Sequence, residues 1–339
     1  MTSGSALSEF LAGQDSLAVV CHNNPDPDTL ASAMALETIA FDADVDDVTV
    51  LYSGTISHQQ NRAFVNLLDL DLKTFSVDAL DAADLVAFVD HSVPGGNNEV
   101  PEDVTIDIVI DHHTTEGVEA GYVDHREEIG ATATIMTEYL ADLEIDTSDA
   151  LATALMFAIR QETLTFLRGV TSAEYAAAER LHAKLDLDLL RDLAHPAVSE
   201  STVDAIGDAI DNRTVRGSTL ISHTGWTTER DAIPQAADYL GDVEGVETCV
   251  VFGLIGDAVE LSARSTDSRV HIGRVLEDAF SDVGSAGGHR QMAGGHISLG
   301  LFADLSGDDD SLVEMVEEIV SRRLIKRLRL STRDSKDEE

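Results

Sequence analysis

Three groups of acidic and imidazole side chains follow apolar segments in the first third of the chain. They are His22, Asp26 and Asp28 in the segment HNNPDPD, then Asp90, then the consecutive run that begins at Asp111. A single strand-end Asp commonly caps a turn, and a single His is commonly structural. If all three groups meet at one place, however, their carboxylates repel one another strongly unless a cation is present.

A pair of divalent metal ions would remove that repulsion. Oxygen ligands with a few imidazoles and no sulfur suit Mn²⁺ or Mg²⁺, and the histidines favour Mn²⁺, with Zn²⁺ as an alternative. Two such ions about 3.5–4 Å apart activate a water between them and stabilise both oxygens of an in-line displacement at phosphorus. The pattern therefore predicts phosphoester or phosphoanhydride hydrolysis. A dinucleotide-binding fold is disfavoured, because HNNPDPD lacks the glycine-rich turn that such a fold needs after its first strand.

Four short apolar runs would position these groups. Residues 16–21, 48–52, 85–90 and 106–111 are continuous apolar segments typical of buried strands, and helical patterns lie between them. This alternation predicts an α/β fold in which helices cover both faces of a parallel sheet. Because the carboxyl ends of parallel strands meet at one edge, the three groups are predicted to share one crevice.

The remaining sequence predicts a second, smaller α/β domain. We expect a catalytic domain over residues 1–195, a linker helix over 196–216, a substrate-binding domain over 217–325 and a charged tail over 326–339. In the second domain the segments STLISHT, ETCVVFGLIG, AVELSAR and HISLGLF predict strands, and residues 272–283 predict a helix. The segment GSAGGHRQMAGGH is expected to be a glycine-rich loop, which either brings backbone N–H groups to an anion or merely connects its neighbours.

The net charge of −41, from 63 Asp and Glu against 22 Lys and Arg, is spread along the whole chain. It favours a salt-loaded cytoplasm, as in a halophile, because the electrostatic screening length falls to about 3 Å at 1 M salt and the acidic residues then repel one another less. An acidic protein made for a basic partner would instead concentrate its charge in one tail. Such a surface disfavours long nucleic acids. Six basic residues over 322–333 are the exception, and complementing a helix dipole is favoured over a nucleic-acid patch.

The sequence predicts a cytoplasmic protein, because no apolar run is long enough to span a bilayer and the first residues do not read as a signal peptide. Its two cysteines are too few for a disulfide framework or a thiolate metal site.

In this order and spacing, the motifs His-x-x-x-Asp-x-Asp, strand-end Asp, Asp-His-His and a distal Gly-Gly-His resemble the DHH phosphoesterase superfamily. The resemblance covers nearly the whole chain and points to the branch with a DHH-associated C-terminal domain. That branch includes nanoRNase/pAp-phosphatase proteins and cyclic-dinucleotide phosphodiesterases. It implies two Mn²⁺ ions, with Mg²⁺ as a substitute. It also implies metal ligands at His22, Asp26, Asp28, Asp90, His112 and Glu162, substrate-contacting catalytic residues at His113 and Arg264, and a substrate clamp at Gly287, Gly288, His289 and Arg290.

Glu162 departs from the family pattern, which carries Asp at this position. Because the additional methylene shifts the carboxylate by about a bond length, we expect an active site that is retuned. His91, beside Asp90, is expected either to contact phosphate or to be merely exposed.

The implied activity is hydrolysis of short nucleotides, such as linear dinucleotides, nanoRNA, cyclic di-AMP or pAp, to 5′-mononucleotides, with a homodimer as an option. A RecJ-like single-strand exonuclease is an alternative, although the chain is short and acidic. A family-II-type pyrophosphatase is disfavoured by the Gly-Gly-His segment. A catalytically inactive scaffold is favoured only by Glu162.

Overall fold

A computed structural model describes residues 3–56, 58–115, 117–302 and 310–334. The chain divides into two compact units, Met1–Ala197 and Val198–Glu339. Within the described residues, no helix combines the length and the apolar character needed to cross a membrane.

The first unit is built on a six-stranded sheet in the order β3-β2-β1-β4-β5-β6, and all of its strand pairs are parallel. The four predicted strands are present. The sequence pattern missed the two edge strands, which are short and contain exposed or half-buried polar residues. The strands are β1 (Ser16–Val20), β2 (Asp47–Tyr52), β3 (Leu72–Thr74), β4 (Leu85–Val89), β5 (Ile108–Asp111) and β6 (Tyr122–His125).

Helices cover both faces of this sheet, as predicted. Alternate residues of β1 belong to separate apolar clusters: Leu17 and Val19 pack into one, Ala18 and Val20 into the other. This is the burial expected of a strand that is covered on both faces. The helices of the unit are α1 (Gly4–Leu11), α2 (Pro27–Asp42), α3 (Gln59–Leu67), α4 (Val77–Asp81), α5 (Thr132–Asp142), α6 (Asp149–Glu162), α7 (Ser172–His182) and α8 (Leu187–Ala194).

The second unit contains a mixed six-stranded sheet in the order β11-β12-β10-β9-β8-β7, in which only β8 and β9 pair in parallel. Its first helix, α9, lies within the segment for which a linker is predicted. The elements are α9 (Glu200–Asp211), β7 (Thr214–Arg216), β8 (Thr219–Trp226), α10 (Ala232–Gly241), β9 (Thr248–Ile255), β10 (Ala258–Ser265), α11 (Ile272–Phe280), β11 (Gly284–Gly288), β12 (Met292–Ser298) and α12 (Asp310–Asp334).

The glycine-rich segment corrects two expectations. It is not a loop but the hairpin β11–β12, in which Gly287 pairs with Gly294. The predicted strand HISLGLF extends only to Ser298, and a short 3₁₀ helix, Gly300–Phe302, follows it. Packing explains the hairpin: a Cβ on Gly273, in the first turn of α11, would lie 2.1 Å from the carbonyl oxygen of Gly288. The absence of a side chain at Gly273 therefore lets the helix sit directly on the hairpin, and this contact favours order over a flexible connector.

Candidate metal centre

The three groups of acidic and imidazole side chains meet at one edge of the parallel sheet. His22 lies just beyond β1, Asp90 follows β4 directly, and Asp111 ends β5; these three strands are neighbours in the sheet. Ligand atoms of His22, Asp26 and Asp90 lie within 4.8 Å of one another, and so do those of Asp90, His112 and His113. Asp90 belongs to both sets.

The distances within the cluster suit ligands that share a cation better than direct hydrogen bonds. Nε2 of His22 lies 3.6 Å from Oδ2 of Asp26 and 3.7 Å from Oδ2 of Asp90. Nε2 of His112 lies 3.5 Å from Oδ1 of Asp90 and 3.7 Å from Oδ2 of Asp28. These separations exceed an ordinary hydrogen bond. Two ligands of one ion, each about 2–2.2 Å from it, lie about 3–3.5 Å apart.

Backbone carbonyls orient the imidazoles of His22 and His112. Nδ1 of His22 lies 3.0 Å from the carbonyl oxygen of Asn23, and Nδ1 of His112 lies 3.0 Å from that of Ile129. An Nδ1–H donated to a carbonyl leaves Nε2 as a lone-pair ligand directed at the carboxylates, which is the usual arrangement around a metal-binding His. Nε2 of His112 is buried and has no hydrogen-bond partner among the described residues. The residues present therefore fit a divalent cation.

Two threonines and a helix N-terminus hold the buried carboxylates. Asp28 accepts hydrogen bonds from the backbone N–H groups of Thr132 (2.7 Å) and Ala133 (2.8 Å), in the first turn of α5. Asp90 accepts hydrogen bonds from the hydroxyls of Thr29 (2.8 Å) and Thr132 (2.9 Å). Sequence reasoning missed both threonines. Thr29 could have been suspected from its place beside Asp28, whereas the role of Thr132 depends on a contact more than 40 residues distant along the chain.

Burial and mutual repulsion make the carboxylates of Asp28 and Asp90 favour protons. Burial raises the pKa of Asp28 and of Asp90 well above the ordinary value, and neighbouring acids, including Glu162, raise both further. Burial also opposes ionisation of Asp26, but the nearby His22 imidazole outweighs it and lowers the pKa of Asp26. A bound divalent cation would supply the positive charge that these carboxylates otherwise take up as protons.

His113 differs from the other residues of the cluster because its side chain is 54% exposed. Its Nδ1 lies 2.9 Å from Oδ1 of Asp111, and the other oxygen of Asp111 accepts a hydrogen bond from Ser92. Although burial opposes it, the hydrogen bonds from His113 and Ser92 lower the pKa of Asp111 to about 2. The hydrogen bond with Asp111 is the main cause of the raised pKa of His113. Since Asp111 occupies Nδ1, the nitrogen of His113 that can meet a substrate is Nε2.

His91, beside Asp90, is buried, so the expectation that it is merely exposed is wrong. Its ring stacks on Phe88 with centroids 4.3 Å apart, and its Nδ1 lies 2.9 Å from the carbonyl oxygen of Val89. Burial lowers the pKa of His91 to about 4, so the ring is neutral near pH 7.

Glu162 ends α6 beside the cluster but belongs to neither of the two sets of ligand atoms. Burial, followed by the charge of Asp26, raises its pKa. The next turn of the chain is strained, because Leu164, Thr165 and Phe166 all have positive φ angles. The assignment of Glu162 as a metal ligand remains a prediction.

Arg264, which is predicted as a catalytic residue, and the four residues of the predicted substrate clamp lie in the second unit. Arg264, on β10, contacts Asp238 through Nε at 2.5 Å and Ser262 at 2.9 Å, so its guanidinium is held by its own unit. Gly287 and Gly288 lie at the end of β11, and His289 and Arg290 form the hairpin turn. The N–H of His289 donates to the carbonyl oxygen of Met292 and is therefore already engaged.

Comparison with known proteins places the chain in a family. Residues 16–159 match the DHH family, N-terminal domain, and residues 217–322 match the DHHA1 domain. The chain therefore belongs to the DHH superfamily, in the branch that carries a DHHA1 domain, as the sequence motifs predicted.

Its relatives include an uncharacterized protein of Methanocaldococcus jannaschii, 37% identical over 311 residues, which are 91% of this chain and 63% of that protein. A probable manganese-dependent inorganic pyrophosphatase of Listeria innocua is 28% identical over 174 residues, 50% of this chain and 55% of that protein. The chain thus spans less than two thirds of the length of these relatives.

Solved structures share the fold. An exopolyphosphatase-related protein from Bacteroides fragilis has a TM-score of 0.70 at 16% identity, covering 96% of this chain and 97% of that chain. Exonuclease RecJ bound to manganese has a TM-score of 0.51 at 14% identity, covering 94% of each chain.

Proposed function

We propose that this chain is a metal-dependent phosphoesterase that hydrolyses short nucleotides to 5′-mononucleotides, with two Mn²⁺ ions that Mg²⁺ can replace. The observation that carries the proposal is the buried Asp90, which directs one oxygen towards His22 and the other towards His112. One side chain thereby joins two sets of ligand atoms, as a two-metal phosphoesterase requires. The manganese-dependent pyrophosphatases and the manganese-bound RecJ among the similar proteins support the choice of ion.

The residues of the cluster take distinct roles in this mechanism. His22, Asp26 and Asp90 would hold one ion, and Asp90 and His112 the other. Asp28 belongs to neither of the two sets of ligand atoms, but its Oδ2 lies 3.7 Å from Nε2 of His112, and it would complete the second site in place of the exposed His113. The bound ions would supply Lewis acidity and an activated water. Thr29 and Thr132 fix the rotamer of Asp90 through their hydroxyls. These contacts preorganise the negative charge, so little rearrangement is needed when substrate binds.

His113 is proposed as the catalytic residue that contacts the scissile phosphate. Asp111 holds Nδ1, and the raised pKa of His113 favours a second proton on Nε2. That N–H can donate to a non-bridging phosphoryl oxygen and neutralise charge as it develops. Arg264, on the second unit, is proposed to neutralise the phosphoryl oxygens together with His113. His289 and Arg290, on the same unit, are proposed to bind the remainder of the nucleotide.

A substrate panel tests the proposal. Initial rates are measured for release of mononucleotide from 5′-pApA, for conversion of cyclic di-AMP to linear dinucleotide or mononucleotide, and for release of phosphate from pAp, with Mn²⁺ in about molar KCl. We expect Mn²⁺-dependent turnover of at least one of these nucleotides and loss of turnover with chelator. If the folded, Mn²⁺-loaded protein cleaves no phosphoester, the inactive scaffold is correct instead. Sequential degradation of long single strands would indicate a RecJ-like exonuclease.

Inorganic pyrophosphate is included in the panel for a specific reason. The similarity to manganese-dependent pyrophosphatases extends over half of this chain. Turnover of pyrophosphate without turnover of any nucleotide would support that second candidate and contradict the nucleotide assignment. Asp28→Ala serves as the matched inactive control for every substrate.

A further inference from the structure

The second half of α12 carries a cluster of basic side chains that the metal centre does not use. Arg322, Arg323, Lys326 and Arg327 line a cavity of about 520 Å³ together with residues of α11 and the turn that follows it, among them the carboxylates of Asp278 and Asp282. We call these four side chains the basic surface. The opposite side of the helix is apolar, where Val320 and Leu324 are buried in the core of the unit. The helix therefore has a fixed orientation, with its basic residues directed away from the core.

This concentration of charge runs against the composition of the chain. Residues 322–333 contain six basic residues and no acidic one, in a chain with only 22 Lys and Arg and a net charge of −41. Like charges also stand one helical turn apart, Arg322 with Lys326 and Arg323 with Arg327, which is unfavourable for a helix.

The basic surface is also poorly paired. Some arginines elsewhere meet carboxylates, as Arg126 meets Asp124 at 2.6 Å and Arg269 meets Asp267 at 2.8 Å. Others, such as Arg213 and Arg290, donate to backbone carbonyls instead. Arg323 contacts Asp282. Arg322 and Lys326 are exposed, and across the described part of the chain neither has a hydrogen bond or an ion pair. They are available to a ligand.

The helix dipole does not account for this arrangement. A cation benefits from the dipole only in the last turn or so of a helix. Arg322 stands twelve residues, more than three turns, before the end of α12 at Asp334. The sequence-based preference for a dipole role therefore fails for Arg322 and Arg323.

A second element extends the positive region. Arg216, exposed at the end of β7, lines a separate cavity of about 370 Å³ that Ile325 of α12 also borders. Arg269 lines the same cavity, although two carboxylates already accompany it. Basic groups thus flank the same stretch of α12 on two sides.

We propose that the basic surface binds the phosphate backbone of a short single-stranded nucleic acid. An arginine guanidinium can donate two parallel hydrogen bonds to the oxygens of one phosphate. Three or four cations can therefore contact three or four successive phosphates. A flexible single strand can follow a narrow basic stripe, whereas a rigid duplex would bring its second row of phosphates against the acidic surroundings. The expectation that the acidic surface disfavours long nucleic acids stays a prediction, and the short ligand proposed here is compatible with it. This binding does not require the proposed hydrolysis.

Fluorescence anisotropy of a labelled, hydrolysis-resistant phosphorothioate oligothymidine 12-mer tests the proposal, in KCl from about 0.1 to 1 M. Two double variants of the full chain are compared. R322E/K326E reverses two charges of the basic surface, and K184E/R191E makes the same charge change in the first unit, where both residues already pair with carboxylates. We expect at least tenfold weaker binding for the first variant and less than twofold for the second. Loss of two phosphate contacts should reduce the salt slope by about 1.4.

Several outcomes would overturn the proposal: no binding at any salt concentration, equal losses in the two variants, or a duplex that binds as tightly as the single strand. Analytical ultracentrifugation of the two variants tests whether the basic surface instead binds a second copy of this chain. If R322E/K326E changes only self-association and leaves oligonucleotide binding intact, the basic surface is a contact between copies. Circular dichroism confirms folding, and R322Q/K326Q replaces the charge reversal if that variant unfolds. Hydrolysis of 5′-pApA should stay within twofold in both double variants, so binding is judged separately from catalysis.

Discussion

The two units arrange their polar residues in opposite ways. In the first unit Asp28 and Asp90 are buried, at 0% and 2% exposure, and threonine hydroxyls or a helix N-terminus bind each carboxylate. In the second unit His289, Arg290, Arg322 and Lys326 are exposed on a hairpin turn or a helix surface. Charges buried beside one another are costly and must be fixed and neutralised, which suits chemistry at a metal centre. Exposed cations cost little and adapt to ligands, which suits binding.

Changing the side chains of the metal centre should have the largest effect, and Asp90 belongs to both sets of ligand atoms. We expect Asp90→Asn to lower Mn²⁺-dependent turnover by more than about a hundredfold, and Asp28→Ala or His112→Ala to abolish it. Steady-state kinetics and Mn²⁺ binding by calorimetry measure the effect, with Asp103→Asn, on an exposed loop, as control. Retention of more than about a tenth of the activity in these variants would contradict the metal assignment.

Without metal, the repulsion between the buried carboxylates of Asp28 and Asp90 should make the stability of the first unit depend on pH. The folded-state pKa values of Asp28 and Asp90 lie above their usual 3.8, because of burial and then of neighbouring acids. The stability contributed by such groups is present below pH 3.8 and is lost as pH rises through the raised values. In chelator, the thermal midpoint should therefore fall as pH rises above 3.8.

Mn²⁺ at a hundred times its Kd should restore about 2.7 kcal/mol, and Asp90→Asn should weaken the pH dependence. Calorimetry at constant KCl measures these midpoints. A midpoint that stays flat or rises with pH in chelator would mean that the carboxylates do not repel one another as the structure indicates.

Glu162 is intermediate between the buried metal centre and the exposed residues of the second unit. Its side chain is partly buried and close to the cluster, but it lies outside both sets of ligand atoms. We expect Glu162→Gln to weaken Mn²⁺ affinity by about 10–100-fold, because it removes a negative charge beside the ions. Equilibrium Mn²⁺ binding followed by electron paramagnetic resonance measures this, and Glu179→Gln on the surface of α7 is the control. Affinity equal to that of the control would exclude a metal-binding role for Glu162.

Changing the exposed hairpin should have the smallest effect. We expect His289→Ala to raise KM for a dinucleotide about tenfold with little change in kcat, because it removes substrate capture and leaves the metal centre intact. An artificial phosphodiester without a second nucleotide should be nearly unaffected. An equal loss for both substrates would assign His289 to the chemical step.

Most of the first unit could be predicted from the sequence because its signals are local. Continuous apolar strands give the parallel sheet, and acidic residues at strand ends give the shared edge, since topology alone places those ends together. Edge strands β3 and β6 escaped prediction because they are short and partly polar. The hydrogen bonds of Ser92 to Asp111 and of Thr132 to Asp90 were not predicted, because these partners are distant in the chain.

The sequence by itself determined the family, the parallel α/β fold and the residue types that converge at the sheet edge, because these depend on the order and spacing of residues along the chain. Only the tertiary structure decided that the glycine-rich segment is a hairpin, that His91 is buried, and that Arg322 and Lys326 have no carboxylate partner among the residues that the structure describes. Each of these outcomes depends on which surfaces pack together. Packing between distant segments sets burial and ion pairing, and residue spacing does not encode it directly.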